Sequence, residues 1–160
     1  MTEKQKSYGK EFERQVFKNF SEVKEISIDR IPDQVTKYKG SSSNICDFIV
    51  YSKPNLIYLE CKTVHGATLP FSNIRENQWN GLLEKSKIDG VIAGIMCWWV
   101  DYDVTRFIPI QTLEVLRLLE TKSIRYDLDY VDSIFIVGRK KRTLFEYDMR
   151  SFLANLKNNS

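Results

Sequence analysis

Apolar residues recur along the chain in two rhythms, one helical and one extended. Over residues 7–20, Phe12, Val16, Phe17 and Phe20 fall at helical spacing and form a single stripe, which predicts a helix. Val23, Ile26, Ile28 and Ile31 mark residues 23–31 as a first strand, closed by Pro32. Two apolar runs, 45–51 and 56–62, flank Ser52-Lys53-Pro54-Asn55 and predict a β-hairpin with a four-residue loop. Residues 72–87 place Ile74, Gln78 and Leu82 on one helical stripe, with Trp79 and Leu83 beside it. Ser72 or Asn73 can cap that helix, and Glu76 stands three residues past Asn73. Residues 91–100 are continuously apolar, as in a strand covered on both faces. A turn at Asp101-Tyr102-Asp103 leads to a short strand at 104–110. Pro109 then opens a helix to about Lys122, with Leu113, Leu116, Leu119 and Glu120 at helical spacing. Strands at 133–137 and 143–147 flank a basic turn, Arg139-Lys140-Lys141-Arg142, and Asp148 caps a closing helix over 148–157. This order predicts an α/β domain, a central mixed β-sheet flanked by α-helices.

Some polar positions interrupt these rhythms. If the hairpin closes symmetrically, Tyr51 faces Leu56 and Asp47 faces Glu60, about 5 Å apart at Cβ on one side of the sheet. Lys62 shares the face of Glu60, whereas Cys61 and Cys46 point the other way. Two facing carboxylates repel, so the pair calls for a shared proton or a cation between them. A hard divalent ion suits oxygen ligands, and Mg²⁺ takes one or two protein carboxylates together with substrate phosphate. Asp, then Glu-x-Lys, on adjacent strands is thus a constellation for metal-assisted phosphodiester cleavage, and a surface hairpin with scattered charge is the bland alternative. Glu13 falls inside the apolar stripe of the first helix, one turn after Gly9, whose missing side chain allows a close approach. It is either a third carboxylate of the same site or a boundary glutamate paired with Lys10 or Arg14. Gln78, an amide on a core-facing stripe, needs a partner. A phosphate, a metal-bound water or the Lys62 region could supply one, or it is a satisfied core glutamine.

Composition narrows the classes of function. The 160 residues, 42% hydrophobic and 28% charged, suit one globular domain, here 1–160. No apolar run reaches the ~20 residues of a membrane span, and the N-terminal MTEKQKSYGK lacks a signal-like apolar stretch, so the chain reads as cytoplasmic with no membrane partner. Cys46, Cys61 and Cys97 have no CxxC spacing and read as buried reduced thiols. His65, the single histidine, reads as a polar loop residue, which leaves serine or cysteine triad chemistry without support. A formal net charge of +3 is compatible with a nucleic-acid partner. The polar stretch 33–44, with Gly40, three consecutive serines, Lys37 and Lys39, is the candidate mobile loop or projecting arm.

Taken together, Asp47, Glu60-Cys61-Lys62 and Gln78 resemble the PD-(D/E)xK nuclease superfamily, and more narrowly the RecU-type Holliday junction resolvases and their phage relatives. Gly9-x-x-x-Glu13 resembles the family's N-terminal acidic motif, and Arg30-Ile-Pro-Asp33 its arginine-and-acid segment. Thr68-Leu-Pro-Phe71, with Asn73 and Gln78, resembles the approach to its glutamine helix. The resemblance runs from about Gly9 to Leu83 and implies a restriction-endonuclease-like sheet. It implies Asp47, Glu60 and Glu13 as metal ligands for Mg²⁺, with Mn²⁺ as substitute. Lys62 would act on the attacking water or the transition state, and Gln78 would position the water or a phosphate. It also implies a homodimer that resolves four-way DNA junctions by paired nicks. The residues read as DNA-contacting are Arg30, Lys37, Lys39, Arg75, Arg139, Lys140, Lys141 and Arg142. The arm reads as shorter than the projecting stalk expected of cellular members, and the stretch before Gly9 does not read as the long basic N-terminal extension of some members. The same core supports nucleases of duplex, flap or DNA ends, or a non-catalytic DNA-binding recombination protein.

Overall fold

The computed structural model describes residues 3–32, 44–127, 129, 131–142 and 144–158, with side chains from Ser7 onward. The arm with its Lys37 and Lys39 lies outside the described residues, apart from Asn44. The helices are α1 (Glu3–Ser21), α2 (Glu76–Lys85), α3 (Ile110–Leu118) and α4 (Met149–Asn158). The strands are β1 (Ser27–Arg30), β2 (Phe48–Ser52), β3 (Asn55–Val64), β4 (Thr68–Pro70), β5 (Val91–Trp99), β6 (Val104–Pro109), β7 (Ser123–Arg125), β8 (Ile134–Phe135), β9 (Gly138–Lys141) and β10 (Leu144–Tyr147). A six-stranded sheet runs β1-β2-β3-β5-β6-β8, and its one parallel pairing is β3 with β5. It is a mixed sheet flanked by helices, as the chain's rhythms predict. Among the described residues no helix is long and apolar enough to cross a membrane.

Two apolar layers sandwich the sheet. Phe12, Val16 and Phe20 of α1 join Phe152 and Leu156 of α4 over Phe48, Leu59, Trp98 and Phe107. On the opposite face, Trp79 and Leu82 of α2 and Leu113 of α3 cover Ile95, Cys97 and Trp99. Phe17, expected in the stripe, stands at its margin, 36% exposed, with its ring stacked on Phe48. The β4–β7 ribbon plugs the second layer with fully buried Leu69 and Ile124. Its three-residue strands are too short to show a period, and 63–71 reads in sequence as a plain link.

Other boundaries shift for local reasons. β1 is shorter than 23–31 because Val23 and Ile26 serve in the turn after α1, where Glu25 adopts a left-handed φ of 64°. α3 stops at Leu118 in a Schellman closure: Glu120 N–H bonds Arg117 O, Thr121 N–H bonds Leu116 O, and Glu120 takes φ 62°. Leu119 therefore leaves the stripe and is 70% exposed. Ser72 and Asn73 lie in a 3₁₀ turn, so α2 begins at Glu76 without their capping. Arg139, Lys140 and Lys141 lie on strand β9, and only Arg142, at φ 52°, is in the turn. Asp148 caps α4 as expected, accepting the Ser151 N–H at 3.0 Å.

The β2–β3 hairpin has the predicted register, Tyr51 opposite Leu56, but pairing continues to Ser52 opposite Asn55. The connection is therefore Lys53-Pro54 alone, and Ser52 and Asn55 are buried. At the other end the ladder closes at Phe48 opposite Leu59, and Asp47 sits in the bend before β2. Asp47 N–H also reaches the Leu59 carbonyl at 3.1 Å, so two consecutive residues stand against one. Such a bulge reverses the alternation of everything before it. Cys46 consequently joins the α2–α3 layer, the face of Glu60, whereas Cys61 lies under α1. That corrects the expectation that the two thiols share a face. All three cysteines are free and buried.

Candidate active site

β3 outruns β2 by several residues, and the site lies along the length left bare. Asp47 carries the hairpin one step further with its side chain: its Oδ2 accepts the Cys61 N–H at 2.7 Å, where a strand carbonyl would otherwise sit. Asn44, just upstream, bonds Pro32 O at 2.6 Å and offers its own carbonyl to Asn77 of α2 at 3.0 Å. Asn77 is thus a tether for the segment that delivers Asp47. The sequence marks it only as a polar neighbour of Gln78, which is why it escapes a sequence reading.

On the α2 side, Glu60, Lys62 and Gln78 form one closed cluster. Glu60 is 3% exposed and Gln78 1% exposed. Lys62 Nζ lies 2.8 Å from Glu60 Oε1 and donates to Gln78 Oε1 at 3.0 Å. Gln78 Nε2 donates to the same Glu60 Oε1 at 2.5 Å. Gln78 Oε1 also accepts the Arg75 N–H at 3.2 Å, so this amide caps the helix on which it stands. Of the sequence alternatives, the Lys62 region is what satisfies Gln78. Glu60 Oε1 is saturated while Oε2 is buried without a hydrogen-bond partner. Burial first, then the nearby charge of Asp47, pushes the Glu60 carboxyl up to about 7 against the opposing pull of Lys62 and Gln78.

Glu13 approaches from α1, over the opposite face. Its Oε2 holds Arg30 at 2.8 Å, in place of the Lys10 or Arg14 partner considered from sequence. Arg14 pairs instead with Glu11. Burial and then the charges of Asp47, Glu60 and Glu13 hold the Cys61 thiol well above its ordinary range. Cys46 is likewise pushed up, to about 12, by burial and then by Glu60 and Asp47. Gly9 lies beside Thr63 of β3, where a Cβ would make only ordinary contact at 3.7 Å. His65 follows β3 as a turn residue, its Nδ1 2.9 Å from Asp101 Oδ1 and its ring edge-on to Tyr8.

The expected DNA-contacting residues separate into classes. Arg30 is half exposed beside Glu13, and Arg75 is exposed at the start of α2. Arg139 and Lys141 both pair with Glu146, and Lys140 pairs with Asp103, so two acids offset half of the four-residue basic run. Arg142 is exposed in the β9–β10 turn.

A divalent cation fits the donor set. Asp47 and Glu60 are hard oxygen donors, and the orphaned Glu60 Oε2 is a buried anionic acceptor that a cation would satisfy. Among the described residues no three His, Cys, Asp or Glu side chains form a ready-made metal cluster. With only two protein carboxylates and remaining positions left to water and substrate oxygens, the arrangement suits Mg²⁺ better than a metal that demands a full protein cage.

No family model matches the chain, and no curated protein matches it. Among solved structures the chain is similar to that of Archaeoglobus fulgidus Hjc, a Holliday junction resolvase from an archaeal hyperthermophile. The two share 17% identity over 79% of this chain and 88% of that one, with a TM-score of 0.49.

Proposed function

We propose that the chain is a metal-dependent DNA endonuclease of the PD-(D/E)xK type that acts on branched DNA, with four-way junctions as substrate. The observation that carries this reading is the buried Glu60 carboxylate, saturated at Oε1 by Lys62 and Gln78, orphaned at Oε2, and set beside Asp47. A structural ion pair has no use for an unsatisfied buried oxygen next to a second acid, whereas a cation site does.

Asp47 and Glu60 would hold Mg²⁺, or Mn²⁺ in its place, with Glu13 completing its surroundings. When bound, the metal supplies charge neutralisation at the scissile phosphate and activation of a water. Lys62, 18% exposed and already directed at Glu60 Oε1, stands at the site's mouth, where its ammonium can orient the attacking water or stabilise charge on the phosphorus oxygens. Gln78 works as a positioning residue. Its amide fixes both Glu60 and Lys62 while its own helix holds it through Arg75 N–H. Arg30, paired with Glu13, and Arg75, whose N–H bonds Gln78 Oε1, are exposed cations beside these residues and would contact phosphates, with Lys37, Lys39 and Arg142 as further contacts. Resolving a two-fold junction needs two such sites, hence a homodimer.

The deciding experiment is cleavage of a labelled four-way junction, beside Y-shaped and linear DNA of the same sequence, in Mg²⁺ and in EDTA. Asp47→Asn removes a ligand at nearly constant volume, so it should reduce cleavage below detection while junction binding persists. Wild-type rates for Asp47→Asn would refute the site, preference for linear duplex would refute the junction substrate, and binding without cutting would refute the nuclease.

A further inference from the structure

At the end of the β2–β3 hairpin remote from Asp47, an open groove of about 890 Å³ lies between the hairpin, the turn after α1, and α4. Lys24, Lys53, Arg150 and Lys157 rim it, and Val23, Ile26 and Leu153 form its floor. Unlike the run at 139–141, these four cations make no ion pair with a described residue. Among the described residues Glu25 is the one acid in the lining, and Asp148, near Arg150, is committed to the cap of α4. Four cations against Glu25 leave +3, equal to the formal net charge of the entire chain, so the remaining residues sum to neutrality.

We infer that this groove is a docking site for an acidic amphipathic helix of a protein partner. Arg150, Leu153, Ala154 and Lys157 stand at i, i+3, i+4 and i+7, so α4 turns a cation toward the groove at each end of this stripe, with exposed Ala154 between them and Leu153, 5% exposed, at the floor. The two cations are about 10.5 Å apart along the axis, two helical turns. A helix laid alongside, with carboxylates seven residues apart and leucines between them, matches that stripe charge for charge and apolar for apolar. Two turns of helix roughly 10 Å across fill a volume of the same order as the groove. Lys24 and Lys53 close the far wall, where the occupant's outer acidic positions meet them. A phosphate backbone has no use for the aliphatic floor, and the groove is six residues along the strand from Asp47, roughly 20 Å, so it is separate from the cleavage site.

The test is fluorescence anisotropy with a labelled Ala-based helical peptide of about 15 residues that carries Glu at i and i+7 and Leu at i+3 and i+4. A control peptide has Gln for Glu. The acidic peptide should bind with salt-sensitive, micromolar-range affinity and the Gln control should not. Lys53→Glu with Arg150→Glu should weaken binding by about tenfold or more. Ala154→Trp, which fills the trough without changing charge, should weaken it likewise and decides the matter if the double reversal fails to fold. Equal binding of the two peptides, or indifference to both variants, would overturn the inference. So would displacement of the peptide by junction DNA together with loss of DNA binding in the double reversal, which would make the groove a nucleic-acid surface. Junction cleavage by the double-reversal variant should equal wild type, so the outcome is independent of the nuclease reading.

Discussion

Glu60 is held between opposing demands, and its titration reports them. Its carboxyl stands at about 7 in the folded chain against an ordinary 4.5, because it is buried beside Asp47. The folded protein therefore binds that proton more tightly than the unfolded chain does. The corresponding stability is complete below about pH 4.5 and is lost as pH rises through 7. A shift of this size corresponds to roughly 3 kcal/mol at most for a group 3% exposed. In metal-free urea titrations at pH 5 and pH 8, wild type should lose on the order of 2–3 kcal/mol more than Glu60→Gln. Parallel losses in the two proteins would show that Glu60 titrates normally. Gly9 gives a second residue-scale expectation. A Cβ there would meet only Thr63 Oγ1 at 3.7 Å, so Gly9→Ala should stabilise α1 by up to about 1 kcal/mol through helix propensity. A fall in stability would mean that α1 and β3 need the closer approach that the sequence suggests.

At the scale of elements, burial sorts what is legible from what is not. β5 is readable because both its faces are covered, which leaves an unbroken apolar run. Gly94 in its middle has a purpose that no pattern discloses: a Cβ there would lie 2.4 Å from the Ile108 carbonyl and 2.6 Å from the Phe107 ring. Gly94→Ala should cost about 2–3 kcal/mol in chemical denaturation, the upper range for overpacking, because the obstacle is partly backbone and cannot move aside. α1, α2 and α4 are legible from their stripes, and α4 also from its Asp148 cap. The ribbon β4–β7 and the strand character of Arg139–Lys141 are not, since three-residue strands carry no period and cross-strand pairing with Glu146 is a contact between separated positions. The end of α3 is similarly hidden: Glu120 takes a left-handed conformation that glycine usually supplies.

The bare stretch of β3, between a helix on one face and a helix on the other, is where the proposed cation would bind. A metal that binds the folded chain alone must raise its stability by mass action, about 2.7 kcal/mol at a hundredfold excess over Kd. Thermal unfolding at pH 8 should therefore shift upward by several degrees with Mn²⁺ or Mg²⁺ in wild type and stay fixed in Asp47→Asn. Equal shifts in both proteins would place the metal elsewhere.

What the sequence by itself determined is local and periodic: helices from stripes, the covered strand from its apolar run, and the hairpin register as far as Phe48 opposite Leu59, beyond which the expected pairing of Asp47 with Glu60 gives way to a bulge that sets Asp47 against Leu59. It also exposed Gln78 as a polar residue out of place in a core, because alternation and spacing are properties of neighbours along the chain. Only the tertiary structure decided which groups those residues meet. The bulge at Asp47 reversed the face of Cys46, Arg30 rather than Arg14 took Glu13, and Lys62 with Glu60 claimed both ends of the Gln78 amide. It also separated the apparent basic patch, half offset by Glu146 and Asp103, from the unpaired cations around the α4 groove. The physical reason is that charge and hydrogen bonding are settled between groups distant in sequence, at separations that no periodicity encodes.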